Sequence, residues 1–545
     1  MLKNMTKAVK TEEVKRVTKS VTNFMGGISY ELSPIETLKL VTASSIFGEP
    51  QYYRDGEFKE KTIKDGYYSA HNLFKEDDVL GSDRWKGKRT SEIMETVIDE
   101  ALAYDFKATL DWAVTLRTEY LMRLNPQVIM VRASTHPKKA EFVNANPGEF
   151  DRINQLVMAR ADEPVVQLTY YLYKHKSDNK LPNILKRGWA KKIEGLTRYQ
   201  FNKYKNAGVG FKDLICISHP KSKLVDEYMK TGKIAVTEEE LTWEIMRSQG
   251  KTWKEILSTT KLGHMALLRN LRNIFEEIDD LQYCKELMAE LKAGVKTGKQ
   301  FPFRYSSAIK AIKGTLAHHI PTIVDTLEEC VDIARENLPK LEGKTMCLSD
   351  NSGSAWGQFT SEYGSVTVAE IGNLSSVLAA QNSDEGYVGK FGDKLKVFPI
   401  SKRNGSLTQA NDISSNKHSD VGGGTENGIW LFFDKAIKEK EHWDNIFVYS
   451  DMQAGHGGLY GLNSRDYAKY AYGTYIDVNK LIREYRRTVN PKVNIFMVQT
   501  AGYTNVLVPE TGYRQAILTG WTGKEIAYAK AVIDIWNEKE NKKQS

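Results

Sequence analysis

Residues 344–354 read KTMCLSDNSGS, and this stretch decides how the C-terminal part of the chain is interpreted. Its first five residues read as a short buried strand. Asp350, Ser352 and Ser354 follow at alternate positions on the strand-to-loop turn, so their oxygens can face one point. Oxygen ligands of low total charge suit a hard divalent cation such as Mg²⁺. Because Ser-rich loops after strands are common, the pattern is weak alone and needs further ligands.

Two later segments supply candidates for those ligands. Thr425 follows the glycine run at 422–424 and precedes a predicted helix, and Asp451 ends the next predicted strand. Read alone, Thr425 also fits a helix cap and Asp451 a turn residue. Because ligand sites in parallel sheets lie at the carboxyl ends of the strands, we expect these side chains to meet at one edge. The predicted metal ligands are Asp350, Ser352, Ser354, Thr425 and Asp451.

The chain changes character near Glu342. Residues 342–530 alternate short apolar runs with helical patterns, which predicts a doubly wound parallel sheet covered on both faces. Residues 20–341 read almost entirely as helices of ten to fifteen residues with short joints. Stacked helical pairs of the HEAT type have this appearance. No fixed period is visible, so a compact helical bundle remains the competing interpretation.

Composition sets broad limits on function. A chain of 545 residues exceeds one hydrophobic core, and 41% hydrophobic residues with 14 prolines indicate a globular protein. The net charge of +8 permits an anionic partner without requiring one. The four cysteines are well separated, as in reduced cytosolic proteins. Without a signal-like start or an apolar run of about 18 residues, a soluble cytoplasmic protein is expected.

The densest basic segment is 185–223, where cations alternate with Trp, Tyr and Phe. Such a mixture suits RNA, because the cations hold phosphates and the rings stack on unpaired bases. The alternative is an ordinary solvated helix face whose aromatic residues pack inward. His219 fits either an RNA contact or a histidine packed beside Pro220.

The five predicted metal ligands resemble, one by one, the metal-ion-dependent adhesion site of von Willebrand factor A domains. This resemblance covers about residues 342–530. It implies that the ion, Mg²⁺ or another divalent cation, keeps an open position that accepts a carboxylate from a protein partner.

The helical half resembles the TROVE module of Ro autoantigen proteins at 187–189, 203–219 and 266–271, and also at 23–27. The resemblance implies a ring of helical repeats closed by the A domain. It also implies a basic outer surface that binds small noncoding Y-type RNA, and a central hole for single-stranded ends of misfolded RNA. A departure at 207–210, where a family aromatic is missing, leaves the RNA class open. The implied RNA contacts are Lys186, Arg187, Lys191, Lys203, Tyr204 and His219.

Catalytic signatures are missing from the sequence. It holds no H-E-x-x-H, P-loop or G-x-S-x-G motif, and Ser352 stands where a phosphatase of the aspartyl type carries its second Asp. We therefore predict a monomeric RNA-binding scaffold of RNA quality control or processing, and not an enzyme. A ribonuclease or another protein is the expected partner at the metal site. The alternative is a magnesium-dependent protein-interaction adaptor that does not bind RNA. Arg269 and Asn270 are interpreted as structural or pore-lining, and His318 and His319 as a helix start.

Overall fold

A computed structural model describes residues 20–22, 28–44, 90–175, 180–204, 211–232, 234, 241–298, 300, 302–312, 319–336, 338–357, 366–424, 428–452, 454, 471–472, 475–500, 505–509, 512–519 and 524–544. The described chain has a helical half followed by a parallel sheet with helices on its faces, which confirms the predicted fold class.

The helical half begins with two short strands and continues as helices. Its elements are β1 (Ser20–Thr22), β2 (Ile28–Glu31), α1 (Pro34–Ser44), α2 (Thr90–Tyr104), α3 (Phe106–Thr118), α4 (Leu124–Thr135), α5 (Lys139–Ala145), α6 (Glu149–Val157), α7 (Glu163–Lys174), α8 (Asn183–Glu194), α9 (Arg198–Tyr204), α10 (Phe211–Ser218), α11 (Lys223–Thr231), α12 (Trp243–Ser248), α13 (Trp253–Thr259), α14 (His264–Glu277), α15 (Leu281–Ala293), α16 (Val295–Gly298), α17 (Pro302–Ile312) and α18 (Ile320–Glu336).

The sheet domain contains the remaining elements. They are β3 (Leu341–Asp350), α19 (Gly353–Gly357), α20 (Val368–Gln381), β4 (Ser383–Phe391), β5 (Leu395–Pro399), α21 (Ser406–Ser414), α22 (Gly428–Lys438), β6 (Asn445–Ser450), β7 (Ala471–Tyr472), β8 (Tyr475–Ile476), α23 (Val478–Thr488), β9 (Asn494–Gln499), β10 (Asn505–Val506), β11 (Gln515–Thr519) and α24 (Lys524–Gln544).

Local sequence explains where the helices begin. The Asp105 carboxylate accepts a hydrogen bond from the Ala108 amide at 2.9 Å and caps α3. Thr252 and Glu255 form a reciprocal capping box at the start of α13. After each cap, apolar residues at helical spacing bury one face of the helix. The capping residue and the apolar pattern therefore predict the same helix.

The six-stranded sheet has the order β11-β9-β6-β3-β4-β5. Every pair is parallel except β4 and β5, which run antiparallel. The sequence predicts β5 as part of a parallel sheet, and this detail is wrong. Only residues 392–394 connect β4 to β5, which is too short for the crossover that a parallel pair requires. Strand β3 lies between β6 and β4, so the carboxyl end of a central strand carries Asp350.

Two further elements differ from the predictions. Strands are almost absent from the predicted helical half, yet β1 and β2 form a small antiparallel sheet with β10 of the sheet domain. The sequence pattern predicts a helix from Tyr475 to Thr488, but the helix starts at Val478, because Asp477 caps it by accepting a hydrogen bond from the Lys480 amide at 3.0 Å.

Both ends of the helical half pack on the sheet domain. Near the first end, the Tyr528 hydroxyl of α24 donates to the Glu119 carboxylate at 3.0 Å. At the last end, the Glu328 carboxylate of α18 accepts from the Thr408 amide of α21 at 2.9 Å. The buried hydrophobic clusters also contain residues from both halves. This arrangement is the one that a ring closed by the sheet domain requires.

None of the helices in the described ranges combines the length and the apolar character that crossing a membrane demands.

Candidate functional site

Asp350 and Asp451 lie side by side at the carboxyl edge of the sheet. Asp350 ends β3, Asp451 follows β6, and the exposed fractions of the two residues are 3% and 1%. The Asp350 carboxylate accepts hydrogen bonds from the Ser450 hydroxyl at 2.6 Å and from the Ser352 amide at 2.9 Å. The strand pairing of β3 with β6 therefore brings together two carboxylates that are 101 positions apart in the sequence.

The two serines of the motif connect the carboxylates. The Ser352 and Ser354 hydroxyls lie 3.0 Å apart, and the Ser354 hydroxyl donates to the Asp451 carboxylate at 2.9 Å. Four of the five predicted metal ligands thus form one hydrogen-bonded cluster, which the spacing predicts. Their role as metal ligands remains a prediction.

Thr425, the fifth predicted ligand, lies outside the described residues. The glycine run before it reaches the cluster, because the Gly423 carbonyl accepts a hydrogen bond from the Gly353 amide at 2.7 Å. Gly422 has a φ of +86°, a left-handed conformation that favours glycine. The backbone two residues before Thr425 therefore touches the loop that carries the serines.

The chemistry of this cluster fits a divalent cation. Burial raises the pKa of Asp350, and the hydrogen bonds from Ser450 and Ser352 only partly oppose this effect. The groups that act most on this pKa are hydroxyl and amide donors, and none of them is a Lys, Arg or His. Two buried carboxylates and two hydroxyls offer only oxygen atoms, the ligands that Mg²⁺ prefers. A bound cation would remove the electrostatic cost of keeping both carboxylates charged.

A buried network of amide side chains holds the loop after β3 in place. The sequence pattern does not reveal this network. The Asn351 and Asn373 side chains exchange hydrogen bonds at 2.8 and 3.0 Å. Asn373 also accepts from the Ser349 hydroxyl at 2.7 Å and donates to the Ser414 hydroxyl at 2.9 Å. The sequence feature that could have indicated this network is Asn373, a polar residue within the apolar pattern of α20.

Four of the predicted RNA contacts line a single groove in the helical half. Lys186, Arg187 and Lys191 lie on α8, and His219 follows the end of α10. The groove has a volume of about 750 Å³. Its lining consists of Asn183, Lys186, Arg187, Ala190, Lys191, Glu194, Ile217, Ser218 and His219. Lys191 and His219 are 28 positions apart in the sequence, and the packing of α8 against α10 brings them to the same groove.

His219 occupies an unusual backbone conformation at the groove. Its φ is +52°, and its amide donates to the Ile215 carbonyl at 2.9 Å, which ends α10. Left-handed non-glycine residues are uncommon and recur at functional sites. The residue is exposed, whereas Pro220 beside it is buried. The imidazole therefore lines the groove instead of filling a core position.

The aromatic residues of the basic segment divide between core and surface. Trp189 is fully buried, and its indole nitrogen donates to the Gln167 side chain at 2.8 Å. Tyr199 keeps 38% of its surface exposed. The rings of Trp189 and Phe201 thus stabilise the fold, while the cations of α8 face the groove.

Two carboxylates lie at or beside the groove, and one of them pairs with a groove cation. Glu194 accepts a hydrogen bond from the Lys221 amide at 2.7 Å, and Asp151 lies 3.4 Å from the Arg187 guanidinium, which keeps 65% of its side chain exposed. The backbone of Lys203 and Tyr204 ends α9, but the side chains of both lie outside the described residues.

The remaining candidates occupy separate places. Arg269 is exposed, although its helix is otherwise well packed, and Asn270 donates to the Ala266 carbonyl at 2.8 Å. His319 lies directly before α18 and contacts the Asp279 carboxylate at 3.0 Å. His318 lies outside the described residues.

Comparison with known proteins gives a match to one family model and matches to several solved structures. The family model described as the TROVE domain matches residues 220–320, directly after His219. Among solved structures, the chain is similar to the Ro (RSR) protein of Deinococcus radiodurans, with a TM-score of 0.55 and 15% sequence identity. That match covers 80% of this chain and 93% of the Deinococcus chain. No curated protein sequence matches. At this identity the likeness shows a shared fold, so the chain carries a TROVE segment within a Ro-like fold.

Proposed function

We propose that this protein, with its TROVE segment and Ro-like fold, binds RNA in the groove between α8 and α10. The observation that carries the proposal is the convergence of Lys186, Arg187, Lys191 and His219 on one groove of about 750 Å³. A groove of this volume is larger than a single phosphate group needs.

The cations of α8 suit a phosphate backbone. Arg187 and Lys191 are four positions apart, so their side chains leave the helix on the same side about one turn, or 6 Å, apart. Cations that contact phosphates release counterions from the RNA, which makes binding favourable and dependent on salt. The exposed imidazole of His219 adds a flat ring and a hydrogen-bonding edge.

We propose more specifically that the protein has a function of the Ro type. The groove would hold a small noncoding RNA of the Y type on the outer surface, and single-stranded ends of misfolded RNA would enter the centre of a helical ring. The packing of both ends of the helical half on the sheet domain supports a closed ring. In this account the protein is a cytoplasmic scaffold of RNA quality control and carries out no chemistry on the RNA.

The sheet edge supplies a second binding function. Asp350, Ser352, Ser354, Asp451 and, by its position in the sequence, Thr425 would hold Mg²⁺ or a similar divalent cation. A bound cation supplies positive charge to which a carboxylate of a protein partner, such as a ribonuclease, can bind. The chain's own contribution is to exclude water from Asp350 and to hold the serine hydroxyls in place.

The test is binding of a structured RNA with a single-stranded tail, followed by fluorescence anisotropy. The variant Lys186→Glu with Lys191→Glu should weaken binding about tenfold or more at moderate salt, because two attractive phosphate contacts become repulsive. The matched control is Lys402→Glu with Arg403→Glu, which reverses two exposed cations of the sheet domain. Equal affinity of the wild type and the groove variant would overturn the proposal.

The buried carboxylate pair favours one alternative, a magnesium-dependent protein adaptor that does not bind RNA. The adaptor predicts capture of a protein that EDTA abolishes and ribonuclease treatment leaves unchanged. The RNA-binding account predicts that RNA copurifies with the protein and is lost from the groove variant.

A further inference from the structure

A row of cations lies on the outer face of α23, in the sheet domain. Val478, Leu481, Ile482 and Tyr485 are buried against the sheet, and the opposite face carries three exposed cations. These are Lys480, Arg483 and Arg487. Spacings of three and four residues place them on one side of the helix, about 4.5 and 6 Å apart along its axis. The row therefore follows a line and does not spread over the domain.

The row continues past the end of α23 to an exposed aromatic ring. Lys492 lies 3.4 Å from the Glu540 carboxylate, and the Tyr513 hydroxyl donates to the same carboxylate at 2.8 Å. Tyr513 keeps 55% of its surface exposed, an unusually large fraction for an aromatic residue. We call Lys480, Arg483, Arg487, Lys492 and Tyr513 the α23 surface.

The carboxylates near this surface do not cover its cations. Arg483 lies 4.0 Å from Asp477 and Arg487 lies 2.8 Å from Glu484, yet the two guanidinium side chains keep 66% and 72% of their area exposed. Lys492 keeps 64%. Exposed pairs of this kind contribute little to stability, so their partners are easily exchanged for a ligand.

A partly buried arginine, Arg486, and a buried one, Arg514, lie behind the surface and add positive charge. The Arg486 guanidinium lies 5.7 Å from the centre of the Tyr513 ring and donates to the Arg514 carbonyl at 3.0 Å. The Arg514 guanidinium donates to the Glu540 carboxylate at 2.9 Å. The Tyr513 ring is therefore supported from within, while much of its surface stays free to meet a ligand.

We propose that the α23 surface binds single-stranded RNA, with the cations on successive phosphates and the Tyr513 ring stacked on an unpaired base. A line of cations that ends at an exposed ring is the arrangement by which proteins bind single strands without sequence preference. A protein partner fits less well, because the centre of a protein interface is depleted of charged residues, whereas this surface is a row of charges without an apolar centre. The inference rests on the proposal that the protein binds RNA, and it adds a site in the other domain.

The experiment uses the full-length protein and a fluorescein-labelled oligouridine of about 12 nucleotides as the probe. The variant Lys480→Glu with Arg483→Glu and Arg487→Glu should bind the probe about tenfold more weakly or worse in moderate salt. The matched control is Lys402→Glu with Arg403→Glu and Lys417→Glu, which changes the net charge equally at exposed positions of the same domain. The control should stay within about twofold of the wild type.

A second variant tests the ring without changing charge. Tyr513→Ala should lose about 5- to 100-fold in affinity, which is the range for removing one base-stacking ring. Tyr513→Phe keeps the ring, loses only the hydrogen bond to Glu540, and should bind nearly as the wild type does. An oligonucleotide with 4-thiouridine should crosslink to Tyr513 on irradiation, which identifies the contact even if the triple variant folds poorly.

The outcomes separate this inference from the proposed function. If the triple variant and Tyr513→Ala both bind the probe as the wild type does, the α23 surface is not an RNA site. If the Lys186 and Lys191 variant then still binds the structured RNA more weakly, the proposal that the groove binds RNA stands. Unchanged RNA binding by all of these variants would overturn both. Loss of an acidic protein partner by the triple variant, with normal RNA binding, would also overturn the inference.

Discussion

Asp350 is the single residue on which the proposed metal site depends most. It is buried, its pKa is raised by that burial, and its carboxylate lies in the same hydrogen-bonded cluster as Ser352. A carboxylate in this position destabilises the metal-free protein when charged and stabilises the protein once a cation binds.

Asp350→Ala should therefore abolish the stabilisation of the protein by Mg²⁺. In the wild type, Mg²⁺ at one hundred times its Kd should raise the free energy of unfolding by about 2.7 kcal/mol. The measurement is thermal denaturation with increasing MgCl2 and, separately, with EDTA. Glu538→Ala, which removes an exposed carboxylate from α24, is the control and should respond like the wild type. A magnesium response that survives in Asp350→Ala would contradict the assignment.

The spacing of the polar residues after β3 predicts part of this site. The alternation of Asp350, Ser352 and Ser354 predicts that they share one site, because a turn after a strand presents alternate side chains together. The contacts of Asn373 could not be predicted in the same way. Its partners lie on β3, on the loop and on α21, and only the packing of α20 brings them together.

At the scale of elements, the Lys390–Asp420 pair joins β4 to the glycine run before Thr425. Lys390 is fully buried, and its ammonium lies 2.7 Å from the Asp420 carboxylate. Burial alone would raise the pKa of Asp420. The hydrogen bond and charge of Lys390, with a further hydrogen bond from Lys396 at 3.3 Å, outweigh this effect and hold that pKa below its usual range.

Asp420→Asn should destabilise the protein by about 3 kcal/mol at pH 7, because it leaves a buried ammonium without its partner. Since the pKa of Asp420 is lower in the folded state, the stabilisation is present above the unfolded pKa of about 3.9 and is lost as the pH falls below it. Urea unfolding between pH 7 and pH 3.5 measures this. The difference between wild type and variant should be constant above about pH 5 and shrink below about pH 4.

The double variant Asp420→Asn with Lys390→Met provides the control for this pair. Removing the buried charge together with its partner should recover much of the lost stability. If Asp420→Asn alone is as stable as the wild type at pH 7, the pair does not stabilise the segment that leads into the glycine run.

Elements differed in how well the sequence predicts them. Strands β6 and β9 are nearly continuous apolar runs buried on both faces, and β3 contains such a run at 346–348, so their sequences identify them. Strand β4 was not predicted, because Ser383–Phe391 contains charged residues and two glycines. Gly386 and Gly389 are required there, since a Cβ would lie 2.0 Å from the Ala380 carbonyl oxygen and 2.7 Å from Leu348. Such close packing is invisible to a periodicity argument.

At the scale of the whole molecule, the groove between α8 and α10 lies in the helical half, and the hydrogen-bonded cluster of Asp350, Ser352, Ser354 and Asp451 lies in the sheet domain. The two halves pack together. The helical half starts and ends against the sheet domain, as the contacts of Tyr528 and Glu328 show. The sequence predicts the two halves from their different periodicities. The contacts between them could not be predicted, because they join residues 80 and 409 positions apart that follow no local pattern.

The central claim is that the groove binds an RNA backbone through its cations. The most direct measurement is the dependence of the binding constant on salt, for the wild type and for the Lys186→Glu variant with Lys191→Glu, with a structured RNA that has a single-stranded tail. Each lost phosphate contact removes about 0.7–0.9 from the slope of log K against log salt concentration. The account predicts a slope that is smaller by about 1.4–1.8 in the double variant. Equal slopes for the two proteins would contradict it.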